Sequence, residues 1–169
     1  MYENLTQLQE RIKLHLDSIR KICSGRCETI AVAESVTAGC IQLLMSTGER
    51  ATDFFQGGIT VYNCSQKAIH LAVEPIFANS CNGVNDSIAV TMARNVCGLF
   101  RSQIGISITG YATRVPEEGI NDLFAYIAIV RNNELIYEEK LETSYEGIAA
   151  QWDYAEKAIE KTAGLLSQL

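Results

Sequence analysis

The sequence predicts an α/β fold, a three-layer α/β/α sandwich around a central mixed sheet, and three observations predict it. Short apolar runs alternate with stretches of helical periodicity over the first 110 residues. Two strand-like segments then follow one another across a short polar connection, which makes an antiparallel hairpin at one side of the sheet. A long amphipathic stripe closes the chain, so helices must cover both faces of the sheet.

The elements follow in order. Leu5, Leu8, Ile12, Leu16, Ile19 and Ile22 recur at gaps of three and four, which predicts a helix over 4–23 stopped by Gly25. The run 28–33 reads as a buried strand, and Ile41, Leu43 and Leu44 predict a helix over 37–45. A second extended segment spans 53–62, and Ser65 is the expected N-cap of a short helix through Leu71. Residues 74–84 show no pattern. Asn85 or Asp86 caps a longer helix whose apolar positions include Ile88, Val90, Met92, Val96 and Leu99. Residues 104–109 alternate as a strand ending at Gly110, and 111–122 form a loop with Pro116 and Gly119. Strands over 123–130 and 135–141 flank the connection Arg131-Asn132-Asn133-Glu134, and a helix over 148–166 follows. No repeat or low-complexity tract divides the 169 residues, so residues 1–169 are expected to form one domain.

Composition narrows the function classes. The chain is 47% hydrophobic with only 2 prolines, enough for a packed core and unlike a disordered chain. Its net charge of -6 offers no basic face for nucleic acid. No apolar run reaches the roughly 20 residues of a membrane span, and the N-terminus has no signal-peptide pattern. A cytoplasmic protein without a nucleic-acid or membrane partner is expected.

Six cysteines, at 23, 27, 40, 64, 81 and 97, include one close pair, Cys23 and Cys27. No second ligand pair matches it, so no metal site is expected, and the cysteines read as small buried apolar residues. His15 and His70 stand apart, each on a predicted helix, which gives a Ser-His-Asp triad little support.

Ligands of open α/β sheets bind beyond the carboxyl ends of strands. Three polar segments fall there: Glu34-Ser35-Val36-Thr37, Tyr62 to Lys67, and Thr109-Gly110. A serine needs a base to act as nucleophile, and a lysine serves if burial leaves it neutral. Ser35 with Lys67 is the pair so indicated. Tyr62 and Lys67 on one helix would lie about 140° apart, so they converge only if Tyr62 ends a strand and Lys67 opens the next helix. Each of these residues also has an ordinary reading, Ser35 and Thr37 as caps, Lys67 as a solvated helix lysine, Tyr62 as a half-buried aromatic.

Ala33-Glu34-Ser35-Val36-Thr37-Ala38-Gly39 resembles the Ala-Glu-Ser-x-Thr-Gly-Gly signature of the CinA C-terminal domain, a family also known as competence/damage-inducible protein and nicotinamide-nucleotide amidase. Gly57-Gly58-Ile59-Thr60-Val61-Tyr62-Asn63, with Lys67, Leu71 and Val73, is similar to its second block. Asn82-Gly83-Val84-Asn85 and Ile108-Thr109-Gly110 match the third and fourth. The resemblance implies a homo-oligomer that hydrolyses the carboxamide of nicotinamide mononucleotide without metal or other cofactor. It implies Ser35 as nucleophile, Lys67 as base, and Tyr62 relaying a proton or orienting the lysine. Substrate contacts would come from Thr37, Gly39, Gly58, Asn85, Thr109 and Gly110. Backbone amides at the helix beginning near Thr37 would take an oxyanion or phosphate. Longer members carry an N-terminal molybdopterin-type domain, for which this sequence leaves no room.

The sequence also departs from the family. Thr109-Gly110-Tyr111-Ala112-Thr113-Arg114 stands where Thr-Gly-Ile-Ala-Gly-Pro is usual, Asn85 replaces a serine, and no arginine follows Arg131. A phosphate grip from the last helix is thereby weakened, with Arg114 as the candidate substitute. Two readings follow: an amidohydrolase acting on a small amide, or an inactive or altered-specificity relative acting as a ligand-binding or interaction module.

Overall fold

The computed structural model describes residues 5–169. Met1 to Asn4, and the side chains of Leu5 and Leu8 that open the predicted stripe, lie outside the described residues.

The helices are α1 (Leu5–Arg26), α2 (Cys40–Ser46), α3 (Cys64–Leu71), α4 (Pro75–Ser80), α5 (Asp86–Phe100) and α6 (Ile148–Leu166). The strands are β1 (Ile30–Glu34), β2 (Phe55–Thr60), β3 (Ile104–Gly110), β4 (Phe124–Arg131) and β5 (Glu134–Glu142). They form one sheet in the order β2-β1-β3-β4-β5. β1 lies parallel to both β2 and β3, while β3/β4 and β4/β5 are antiparallel. This is the expected mixed sheet with helices on both faces. Asn132 (φ 51°) and Asn133 (φ 69°) make the tight hairpin turn, whose positive φ values asparagine tolerates.

Strand alternation sorts the core. Ile30 and Val32 of β1, Ile104, Ile106 and Ile108 of β3, and Ile127 and Ile129 of β4 pack with Ile12, Leu16, Ile19, Met45, Tyr154 and Ile159 from α1, α2 and α6. The alternate residues face α5, and those of β1 and β3 are small. Ala31 and Ala33 pack with Ile88, Met92 and Val96, and Ala128 with Ala89 and Ala93. Gly105 lets α5 come close: a Cβ there would lie 2.0 Å from the Ala93 carbonyl oxygen. The Ser107 hydroxyl donates to the Ala89 carbonyl at 2.5 Å, so the polar positions of β3 are paired within the core.

Several boundaries differ from the sequence expectation. α1 runs through Gly25 to Arg26 and is ended by Cys27 at φ 54°. α2 starts at Cys40, not Thr37, because Ala38 (φ 52°) and Gly39 (φ 104°) adopt left-handed conformations that hold the chain in a turn. Asn63, not Ser65, caps α3 by accepting from the Gln66 amide. The patternless 74–84 segment contains α4, whose N-terminus is made by Pro75 in the first turn and by the Glu74 carboxyl accepting from Ile76 and Phe77. Six residues are too few for a periodic stripe to show. Leu43 and Leu99, expected on apolar faces, are about half exposed (54% and 53%).

Candidate active site

The three parallel strands end on the same side of the sheet, and the residues just beyond them line a cavity of about 700 Å³. Ser35 and Val36 follow β1, Tyr62 and Asn63 follow β2, and Gly110, Tyr111 and Ala112 come from the end of β3. Gln151 of α6 and Asn79, Asn82 and Glu118 from α4 and the loops complete its polar wall. The chain leaves β1 toward β2 on one side and reaches β3 on the other, so β1 marks the topological switch point.

Ser35 and Lys67 meet. The Lys67 ammonium donates to Ser35 Oγ at 2.8 Å and to the Val61 carbonyl at 3.2 Å. Asn63 caps α3 and the Lys67 amide bonds back to the Asn63 carbonyl, which places Lys67 in the opening turn and aims it at β1. The lysine is 2% exposed and Ser35 5%. Burial lowers the Lys67 pKa from 10.5 to about 8, with the neighbouring Cys64 and Cys81 pulling slightly upward. Gly83 (φ 68°) packs against this group: a Cβ there would sit 3.4 Å from Lys67 Nζ and 3.1 Å from Cys64 Sγ.

Glu34, beside Ser35 in the chain, is fully buried and organises the turn. Its carboxyl accepts from the Thr37 hydroxyl (2.5 Å) and from the amides of Gly39 (3.0 Å), Ile41 (3.1 Å) and Gln42 (2.8 Å). The expected oxyanion or phosphate site at the start of this helix is therefore filled from within: an internal carboxyl takes the amides that would have met the ligand. Among the described residues, the amides of Val36 and Thr37 make no hydrogen bond, and Val36 lines the cavity.

Of the remaining expected contacts, only Gly110 lies in the wall. The Thr37 hydroxyl is spent on Glu34. Gly39 is the turn residue ahead of α2. Gly58 is packed so closely that a Cβ would fall 2.4 Å from the Val32 carbonyl oxygen. Asn85 caps α5, accepting from the Ser87 amide and hydroxyl. The Thr109 hydroxyl donates to the Gly83 carbonyl at 2.7 Å and holds the loop behind Lys67. Tyr62 is in the wall but 71% exposed, and among the described residues no hydrogen bond joins it to Lys67 or Ser35; the Val61 carbonyl orients the lysine instead. Arg114 is outside the lining, ion-paired to Glu146 at 2.7 Å.

Glu34, Asn82 and Tyr111 appeared in the sequence only as members of motifs with no role given them, and Glu118, Asn79 and Gln151 were not marked at all. Glu34 carried a signal, a carboxyl followed by a helix start; the others come from loops and a distant helix. Burial pushes the Tyr111 phenol up, and Glu118 adds to that shift, so the two are electrostatic neighbours. The cysteines divide. Only Cys23 is buried; Cys27 is exposed, Cys40, Cys64, Cys81 and Cys97 are partly buried, and Cys64 lines the cavity, contrary to the uniformly buried reading, while burial pushes the Cys23, Cys40 and Cys97 thiols up to about 11. His70 is exposed and bonded to Gln66.

A family model, the CinA C-terminal domain, matches residues 13–166. A CinA-like protein of Synechocystis is 37% identical over 87 residues, 52% of this chain and 21% of the relative. One of Koribacter versatilis is 33% identical over 107 residues, 62% of this chain and 25% of the relative. The chain thus spans about a quarter of the length of these curated relatives. A competence-damaged protein (CinA) superfamily structure from Klebsiella pneumoniae superposes with a TM-score of 0.86 at 17% identity, covering 99% of this chain and all of that one. With 13–166 matched and the same architecture found, the chain belongs to the CinA C-terminal domain family.

Proposed function

We propose that the chain is a serine amidohydrolase that cleaves a small carboxamide of the pyridine-nucleotide class, of which nicotinamide mononucleotide is the member its family resemblance implies. The 2.8 Å contact between Ser35 Oγ and a buried lysine whose pKa falls to about 8 carries this reading. A merely solvated lysine would be out in water, and an ordinary cap serine would be spent on its own helix.

In the neutral form the Lys67 lone pair accepts the Ser35 proton while one N–H still donates to Val61. Ser35 Oγ attacks the amide carbon, and the oxyanion meets the amide of Val36 beside it. The Lys67 ammonium then returns its proton to the leaving nitrogen, so ammonia departs and an acyl ester remains on Ser35. Lys67 next takes a proton from water as hydroxide adds to the ester; the ester bond then breaks, Lys67 returns that proton to Ser35 Oγ, and the acid product leaves and ionises to the carboxylate. Tyr62 and Tyr111 supply flat walls for a planar substrate.

Purified protein given nicotinamide mononucleotide, nicotinamide riboside and simple aromatic amides should release ammonia from at least one. Ser35→Ala and Lys67→Ala should each lower the rate by about 100-fold or more. Release unchanged in both variants, or none from any amide, contradicts the proposal and leaves the ligand-binding module as the better account.

A further inference from the structure

Two of the six cysteines meet beside the reacting pair. Cys64 opens α3, three residues before Lys67, and Cys81 is the residue that follows α4. Both thiols donate to one acceptor, the Ala78 carbonyl, at 3.5 and 3.7 Å. That oxygen already accepts from the Gly83 amide at 2.7 Å, so its two lone pairs cannot serve both thiols well. Each cysteine is partly exposed, and Cys64 lines the cavity, where a small reagent reaches it. The charge on Lys67 senses both thiols, which puts the pair at the lysine's side. The other cysteines are placed differently. Cys23 is sealed in the core and Cys27 stands exposed. Cys40 packs on the opposite face of the sheet, and Cys97 is wedged against Gly105 of β3. A covalent bond between Cys64 and Cys81 would draw the first turn of α3 toward the end of α4. Lys67 rides on that turn, and Gly83, two residues beyond Cys81, packs against the same lysine, a Cβ there lying 3.4 Å from Nζ. Closing the bond therefore displaces Nζ from its 2.8 Å contact with Ser35 Oγ.

We propose that Cys64 and Cys81 are a dithiol switch: a low-molecular-weight disulfide closes them into one bond, which slows the Ser35–Lys67 pair, and a thiol reopens it. Cys64 gives its proton to solvent and attacks one sulfur of the oxidant, which releases one thiolate and leaves a mixed disulfide on Cys64. Cys81 then gives up its proton, attacks the Cys64 sulfur and expels the second thiolate. Two protein thiols lose two electrons and two protons, and the oxidant becomes two thiols. The loss of hydrolytic rate rests on the amidohydrolase reading; the bond itself does not. The full chain would be equilibrated with oxidised and reduced glutathione at graded ratios, its free thiols alkylated and its peptides mapped. Ser35 labelling by a sulfonyl fluoride, and ammonia release from nicotinamide mononucleotide, its riboside and simple aromatic amides, would be read on the same samples. The expected result is a Cys64–Cys81 link with Ser35 labelling slowed about 10-fold or more and restored by dithiothreitol, since a displacement on the order of 1 Å between reacting groups can cost about 100-fold. Cys81→Ser should instead collect glutathione on Cys64 and form no link, while its reduced form labels like the parent. Slowed labelling in a protein that hydrolyses none of the amides supports the switch and overturns the amidase reading. A link elsewhere, no link, or a Cys64–Cys81 link that leaves Ser35 labelling unchanged overturns the switch, and ammonia release undiminished in those samples leaves the amidase reading standing. A reduced protein in which Ser35 neither labels nor releases ammonia overturns both.

Discussion

Lys67→Met tests the energetics of the site without any substrate. Burial lowers the Lys67 pKa from 10.5 to about 8. At about 1.4 kcal/mol for each pH unit between those values, keeping the amine protonated costs the folded state about 3 kcal/mol. The side chain is 2% exposed, so solvent screening removes little of that cost. Met fills a similar volume without charge but leaves the Val61 carbonyl without its 3.2 Å donor, a loss of about 1–2 kcal/mol. The variant should therefore be more stable near pH 6.5 by about 1–2 kcal/mol, raising Tm by about 3–6 °C. The sign depends on pH. A lysine depressed on folding leaves the unfolded chain with more bound protons between about 8 and 10.5, so wild-type stability recovers as pH rises through that window. By pH 10 the advantage of Met should have vanished or reversed. Differential scanning fluorimetry of both proteins from pH 6 to 10 measures this. A Lys67→Met protein that is less stable by the same amount at every pH would refute the argument, since the lysine would then be a stabilising group and not a strained one.

Other changes have equally definite outcomes. Glu34→Ala strips the acceptor from three amides and the Thr37 hydroxyl, and should cost about 3 kcal/mol and lower Tm by about 6–12 °C, read by thermal melting. Asn85→Ala should cost about 1 kcal/mol as a lost cap yet change kcat/KM less than 2-fold, which distinguishes capping from substrate contact. Gly105→Ala drives a methyl into the Ala93 carbonyl, so urea unfolding should show about 2–3 kcal/mol of lost stability. The rate of amide hydrolysis should rise with pH to half its limit near 8, as Lys67 loses its proton.

Periodicity makes the sheet and the long helices legible in the sequence. The stripe of α6 gave the right element because that helix buries one face, and the alternation of 104–109 because its two buried faces differ in size, isoleucines on one side and Gly105 and Ser107 against α5 on the other. Short elements escaped. α4 has six residues and a single buried one, Ala78, so no pattern could mark it. The start of α2 was set by the left-handed Ala38 and Gly39 and by the Glu34 carboxyl, a tertiary contact that spacing does not reveal. The same limit applies to the site. The meeting of Ser35 and Lys67 was readable because a serine considered as a nucleophile needs a base beside it, and few residues in this sequence offer one. Thr37, Asn85 and Thr109 instead proved to be spent on hydrogen bonds that hold the turns, and Tyr111 and Glu118 entered the wall only through the loop after β3.

Labelling by a serine-directed sulfonyl fluoride, followed by intact mass and peptide mapping across pH 6 to 10, addresses the pairing of Ser35 with Lys67 most directly. A single adduct on Ser35, forming along a sigmoid centred near pH 8 and absent at all pH values in Lys67→Met, is the predicted result. Labelling spread over other residues, or a Ser35 rate that ignores Lys67, would contradict it.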